Sequence, residues 1–232
     1  MFLKNILEGL ALSTLNNWSG VEKGEIKPAF KAQVVNAVNE ALIQIYSEII
    51  VEEKAIYLNY KEGMTNYELT PEHMVEDREA PDHKHYLMLP PGEKFSGDIM
   101  KILSITSVDG EALPLNNLSN PASAFTPTYN KIQIPCGREN EVFCITYQPH
   151  HVIVKESEEE TEDIFLPLHL YPLLKDYVGF TIYNSINTEA ASYAATKHYQ
   201  AYINHLRLIK DMDLMSQSYS QDSSKFRQNG WI

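Results

Sequence analysis

The stretch PAFKAQVVNAVNEALIQIYSEIIVEEKAIYLNY, residues 28–60, changes its hydrophobic period part-way along. In its first part Phe30, Val34, Val38, Leu42, Ile45 and Ile49 recur at three- and four-residue steps, so they share one helix face. Ala37 and Ala41 widen that stripe, and Pro28 stands at the first turn, where its missing N–H costs nothing. The spacing predicts a helix over about 28–49. From about residue 53 the period becomes two: Ile56, Leu58 and Tyr60 alternate with Tyr57 and Asn59. A helix gives way to a sheet here, and the fold class turns on that switch.

Upstream, Leu3, Ile6, Leu7 and Leu10 have helical spacing, and NNWSGVEKG, residues 16–24, reads as a loop. Downstream, KEGMTNYEL supplies a Gly-containing turn and a second strand, so 54–70 is expected to form a hairpin. Residues 71–84 are polar and irregular. YLMLP, IMKILSIT, KIQIP, VFCITYQ and HVIVK read as further strands, and Asp109-Gly110 as a turn between strands. ESEEETED, residues 156–163, is a charge run that stays solvated. Pro172 places the start of the next helix near residue 171, with Leu174, Val178 and Ile182 as its stripe. Asn187-Thr188 ends that helix, and Thr188 is an N-cap for the last one. Ala191, Ala195, Tyr199, Tyr202, Leu206, Ile209 and Met212 lie on one face of this final helix.

The expected architecture is α+β. Residues 1–52 and 165–214 make a helical bundle, because helices from both chain ends need a common partner for their apolar faces. Residues 53–156 make a mostly antiparallel β lobe, 157–164 an acidic loop and 215–232 an extended C-terminal tail.

Hydrophobic content of 44% allows a packed core, and the formal net charge is −12. No Lys/Arg cluster offers the basic face that phosphate binding requires. Cys136 and Cys144 are too few for a disulfide framework and wrongly spaced for zinc, so both are read as reduced thiols. No apolar run approaches transmembrane length, and MFLKNILEGLALSTL lacks the uninterrupted block of a signal peptide.

The chain contains no GxSxG, GxxxxGK[ST], HExxH or GxGxxG. Histidines are the best enzymatic lead. On a strand, His83 and His85 would share a face and aim at one metal, with His73 or Asp82 as a third ligand. The plainer reading is a set of exposed loop histidines, since no supporting shell is identifiable. His150 and His151 are adjacent and would point to opposite faces. Among 31 acidic residues no pair stands out for acid–base work, and nothing supports Cys144 as a nucleophile. The fourteen tyrosines suit packing or interfaces more than base stacking.

The last residues, KFRQNGWI, follow a polar stretch yet carry Phe226, Arg227, Trp231 and Ile232, residue types that hold interface energy. Either they fold back on their own domain or they order on a foreign surface.

Several stretches in order carry a family likeness: FLKNILEGLALSTLNNWSG, the long run from Pro28 to Leu69, IMKILSITSVDGEALPLN and FTPTYNKIQIP. The region of Tyr147, His150 and His151 follows, then LPLHLYPLLKDYVGFTIYNSI, the Ala/Tyr-rich last helix and KFRQNGWI. Across nearly its whole length the chain resembles head-to-tail adaptor proteins of tailed bacteriophages, also called connector or tubular tail proteins. The resemblance implies a virion structural protein of the neck, without catalysis, cofactor or metal and without a membrane. Such proteins are made in the host cytoplasm. They form a ring of about twelve copies between the portal protein and a tail nozzle or tube protein. DNA passes through the channel without specific binding, and an acidic wall suits that passage. It also implies that the C-terminal segment reaches the portal, with Lys225, Phe226, Arg227, Gly230, Trp231 and Ile232 as the portal interface. Two alternatives stand beside it: a metal-dependent enzyme using His73, His83 and His85, and a carbohydrate-binding or adhesion β module.

Overall fold

The computed structural model describes residues 2–75, 81–89, 94–135, 137, 140–155, 157 and 163–212. They form a mixed α+β protein with antiparallel sheets. The chain divides into two compact units: the described residues of 2–51 and 151–212 form one, and those of 52–150 the other.

The first unit is helical. Helix α1 (Leu3–Leu12) buries Leu3, Ile6, Leu7 and Leu10, the residues whose spacing predicts it. The following loop is more ordered than its composition suggests. Strands β1 (Val21–Glu22) and β2 (Glu25–Ile26) form a small hairpin, closed by Lys23 and Gly24 at φ of 54° and 81°. Both central residues have positive φ, the geometry of the tight turn that matches strand twist. Helix α2 (Pro28–Glu48) opens with Pro28 in its first turn and buries Val34, Val38, Leu42 and Ile45. The β-branched run Ile49, Ile50, Val51 ends it, and Ile49 is already extended at φ −138°, ψ 137°.

Helices α3 (Tyr171–Asn184) and α4 (Glu189–Asp211) complete the unit, and α3 packs against both α2 and α4. Thr188 caps α4 as its sequence position predicts, its Oγ1 accepting from the Ala191 N–H at 3.3 Å. On α4 the expected stripe is buried at Ala191, Ala195, Tyr202, Leu206 and Ile209, whereas Tyr199 is partly and Met212 mostly exposed. One apolar core joins all four helices, with Leu3, Ile6, Val38, Leu42, Leu174 and Val178 fully buried. Each such side chain contributes about 1.5–3 kcal/mol of burial free energy. No helix among the described residues is long and apolar enough to cross a membrane.

The second unit holds two antiparallel sheets. In the larger, strands β3 (Lys54–Asn59), β5 (Leu87–Met88), β6 (Ile99–Ser107) and β9 (Val142–Pro149) run in the order β5-β3-β9-β6. In the smaller, β4 (Asn66–Glu68), β7 (Phe125–Thr128) and β8 (Lys131–Gln133) run in the order β4-β8-β7. Lys54 opposes Tyr147, so the chain enters and leaves this unit on neighbouring strands. That placement is what an insertion between two halves of a helical unit requires.

Two sequence expectations fail here. The stretch 54–70 is not a hairpin. Both edges of β3 are occupied, by β5 and β9, so β4 pairs with β8 in the other sheet. Between them the chain wraps the Tyr67 hydroxyl, which accepts from the Lys61 N–H and donates to the Met64 carbonyl. HVIVK is not a strand either. The ladder of β9 ends at Pro149, and beyond it the Val154 backbone is held by the Asn39 side chain of α2 through two bonds of 2.9 Å. Val154 packs in the helical core, so the β unit closes at His150, short of the expected 156. The expected acidic loop at 157–164 lies largely outside the described residues, although Ile164 is buried in the helical core.

Two tyrosines tie the two sheets together. The Tyr86 hydroxyl accepts from the Glu68 N–H at 2.9 Å and donates to the Glu68 carbonyl at 3.1 Å. Tyr86 also meets the Tyr67 ring edge-on, 5.1 Å between centroids. Burial pushes its phenol up to about 12.

Candidate functional site

The expected portal-interface residues Lys225, Phe226, Arg227, Gly230, Trp231 and Ile232 lie outside the described residues, which end at Met212 just past α4. The histidines lie within them. His73 ends a 3-10 turn at Pro71–His73; its Nδ1 is 2.8 Å from the Lys84 carbonyl oxygen, and its ring stacks on Tyr86 at 4.9 Å. Residues 82–85 are a bend and not a strand, so His83 and His85 do not gain a shared face from strand alternation. Asp82 organises this bend by accepting from the backbone N–H groups of His85 and Lys84, and those bonds hold its carboxyl below the usual range. His85 Nδ1 stands 3.4 Å from the same carboxylate. No group of three metal-capable side chains occurs among the described residues.

His151 has a different environment. Its ring packs on Tyr46 at 5.9 Å, and its Nε2 is enclosed without a hydrogen-bond partner among the described residues. Burial lowers its pKa to about 4, so the imidazole is neutral at neutral pH.

On the helix pair α3 and α4 the structure collects groups that the sequence leaves scattered. Asp176 faces two histidines of α4: its Oδ2 is 2.6 Å from His205 Nδ1 and its Oδ1 is 3.8 Å from His198 Nδ1. His198 stacks on Tyr183 with rings nearly parallel, 5.6 Å between centroids. Gly179 makes the space: a Cβ there would stand 2.7 Å from Thr14 Cγ2 and 2.8 Å from His198 Cγ. Further along, Tyr177, Phe180, Tyr199 and Tyr202 form an aromatic row with successive centroids 5.0–6.4 Å apart. Burial, with Glu48 nearby, pushes the Tyr202 phenol up to about 12. Its enclosed hydroxyl lies near Gln44 without reaching hydrogen-bonding geometry.

Beside this cluster lies a cleft of about 580 Å³. Its walls are the loop of residues 13–19, the α3–α4 connection from Tyr183 to Thr188, and the first turns of α4 as far as His198. Ala190, Ala191 and Ala194 give it a low floor, and Tyr193 and Lys197 stand along it. No Asp or Glu among the described residues lines it.

No protein-family model matches the chain, and a search among curated proteins finds no match.

Sequence reasoning missed this region for two reasons. Trp18 sits in a stretch that reads as a polar loop, yet it is only 6% exposed and packs edge-on against Phe30 at 5.2 Å. A lone large aromatic between Asn17 and Ser19 was the available signal. His198 and His205 are seven residues apart, two helical turns on one face, but nothing in the sequence pairs them with Asp176 of another helix.

Proposed function

We propose that this protein is a structural adaptor of a phage neck, forming a ring of about twelve copies between a portal protein and the first tail protein. Its work is assembly, not catalysis, and its place is the virion. The observation that supports this reading most is the chain's order of parts. Two terminal segments share one helical core, a β unit is inserted between them by adjacent strands, and an aromatic-ended segment follows the last helix. The sequence stretches that carry the resemblance follow one another in the same order across nearly the whole chain. A ring needs two different faces on each copy, so that contact is head to tail and closes. Two units of unlike surface, one helical and one β, supply unlike faces.

In this reading residues 215–232 dock on the portal through Phe226, Arg227, Trp231 and Ile232. Ordering such a segment costs free energy, and many tails acting on one ring recover affinity through effective concentration. The channel wall repels the DNA phosphates, in keeping with the net charge of −12. The test is removal of residues 225–232. The truncated chain is expected to melt within about 2 °C of the full chain, since in this reading the segment packs on the portal and not on its own core, and to lose co-migration with portal rings in native mass measurements. Undiminished portal binding by the truncated chain overturns the reading.

A further inference from the structure

We propose that Lys61 and Asn140 join side chain to side chain in an intramolecular isopeptide bond. This goes beyond the neck reading and does not depend on it. The ladder of β3 and β9 ends with Asn59 opposite Val142, and the same register carried two residues on sets Lys61 opposite Asn140. Directly opposed residues have Cβ atoms about 4.5–5.5 Å apart. Backbone bonds continue that register past the ladder. The Tyr60 N–H donates to the Glu141 carbonyl at 2.7 Å, and the Asn140 N–H donates to the Tyr60 carbonyl at 3.0 Å. The Lys61 N–H is itself held, donating to the Tyr67 hydroxyl at 3.0 Å. Both side chains therefore rise from fixed backbone.

Lysine is almost never buried without a partner for its charge. Lys61 is only 5% exposed, and its Nζ donates to Asn140 Oδ1 at 2.9 Å. A C=O bond is about 1.23 Å long, so Asn140 Cγ lies within about 4.1 Å of the amine. A pair held in place reacts from about 3–3.5 Å, and such holding replaces a very high reactant concentration. Little water reaches the buried lysine to compete, and the neighbouring Tyr60 ring packs on Tyr67 and Phe143. In the step, Nζ attacks Cγ, the Nζ–Cγ bond forms and the Cγ–Nδ2 bond breaks. The lysine ammonium sheds two protons, and the departing Nδ2 carries both away as ammonium. No oxidant or cofactor is consumed. The product ties the end of β3 to the entry of β9 across 79 positions of sequence. It constrains the unfolded chain as a disulfide does.

The test is the intact mass of the purified full chain, kept folded at neutral pH, sampled over days and measured in denaturant. The chain is expected to become lighter by one ammonia, and its digest to contain a branched peptide joining Lys61 to Asn140. Lys61→Arg keeps the positive charge and a donor for the amide but lacks the nucleophilic amine. It is expected to lose no ammonia, and neither is Asn140→Ala. Circular dichroism on each variant shows whether the fold is retained, and the branched peptide of the unsubstituted chain stands whether or not a variant folds. A mass that stays at the value of the sequence overturns the proposal. So does a digest in which every Lys61 peptide is unbranched. Ammonia loss that persists in Lys61→Arg overturns it too, because the loss then comes from another asparagine, such as Asn229 before Gly230.

Discussion

Gly179 decides how closely Thr14 of the loop after α1 and His198 of α4 approach α3. Exchange for alanine would normally favour a helix by about 1 kcal/mol. Here the added methyl meets Thr14 on one side and His198 on the other at under 3 Å, and His198 is held by Tyr183 and Asp176. Overpacking of this kind costs about 1–3 kcal/mol and outweighs the propensity gain. Gly179→Ala is therefore expected to lower the free energy of unfolding by about 1–2 kcal/mol, read from the denaturant midpoint. His151 sets a pH dependence of known sign. Its folded pKa, about 4, lies below the ordinary imidazole value of 6.5, so folding favours the neutral ring. The associated stability is complete above pH 6.5 and is lost as pH falls from there towards 4. His151→Leu is expected to flatten the stability profile across that window. Parallel profiles for the two proteins would remove His151 from the account.

Among elements, the helices were legible and the strand partners were not. The stripe from Phe30 to Ile49 fixes α2 because a helix closes its own hydrogen bonds, so local spacing is enough. A strand's partner lies elsewhere in the chain. Nothing in KAIYLNYKEGMTNYEL says that β9 and β5 occupy both edges of β3. HVIVK misled for the opposite reason: its alternation is real, but its backbone is claimed by Asn39 of a helix. The candidate site was less legible still, since the loop after α1 and residues of α3 and α4 come together only through packing of two helices and that loop. The coupling of the two sheets is testable. Tyr86→Phe keeps the ring contact with Tyr67 but leaves the Glu68 N–H and carbonyl without the hydroxyl. A loss of about 1–3 kcal/mol is expected, with faster amide exchange in β4 and β8. Unchanged exchange there would mean that the sheets hold together by their apolar contacts alone.

For the whole molecule, the order of helical segment, β insertion, helical segment and aromatic-ended tail is the feature on which the proposed role rests. The sequence shows that order because each part has its own composition: apolar stripes at the ends, alternation in the middle, and a polar run before KFRQNGWI. It does not show what the tail meets, because a binding partner leaves no period in the chain that binds it. The measurement that tests the central claim most directly is electron cryo-microscopy of the assembled neck, read at Trp231 and Ile232. The account predicts both side chains in a pocket on the portal, outside their own protomer. Finding them packed within their own protomer, or without contact to any other chain, would contradict it.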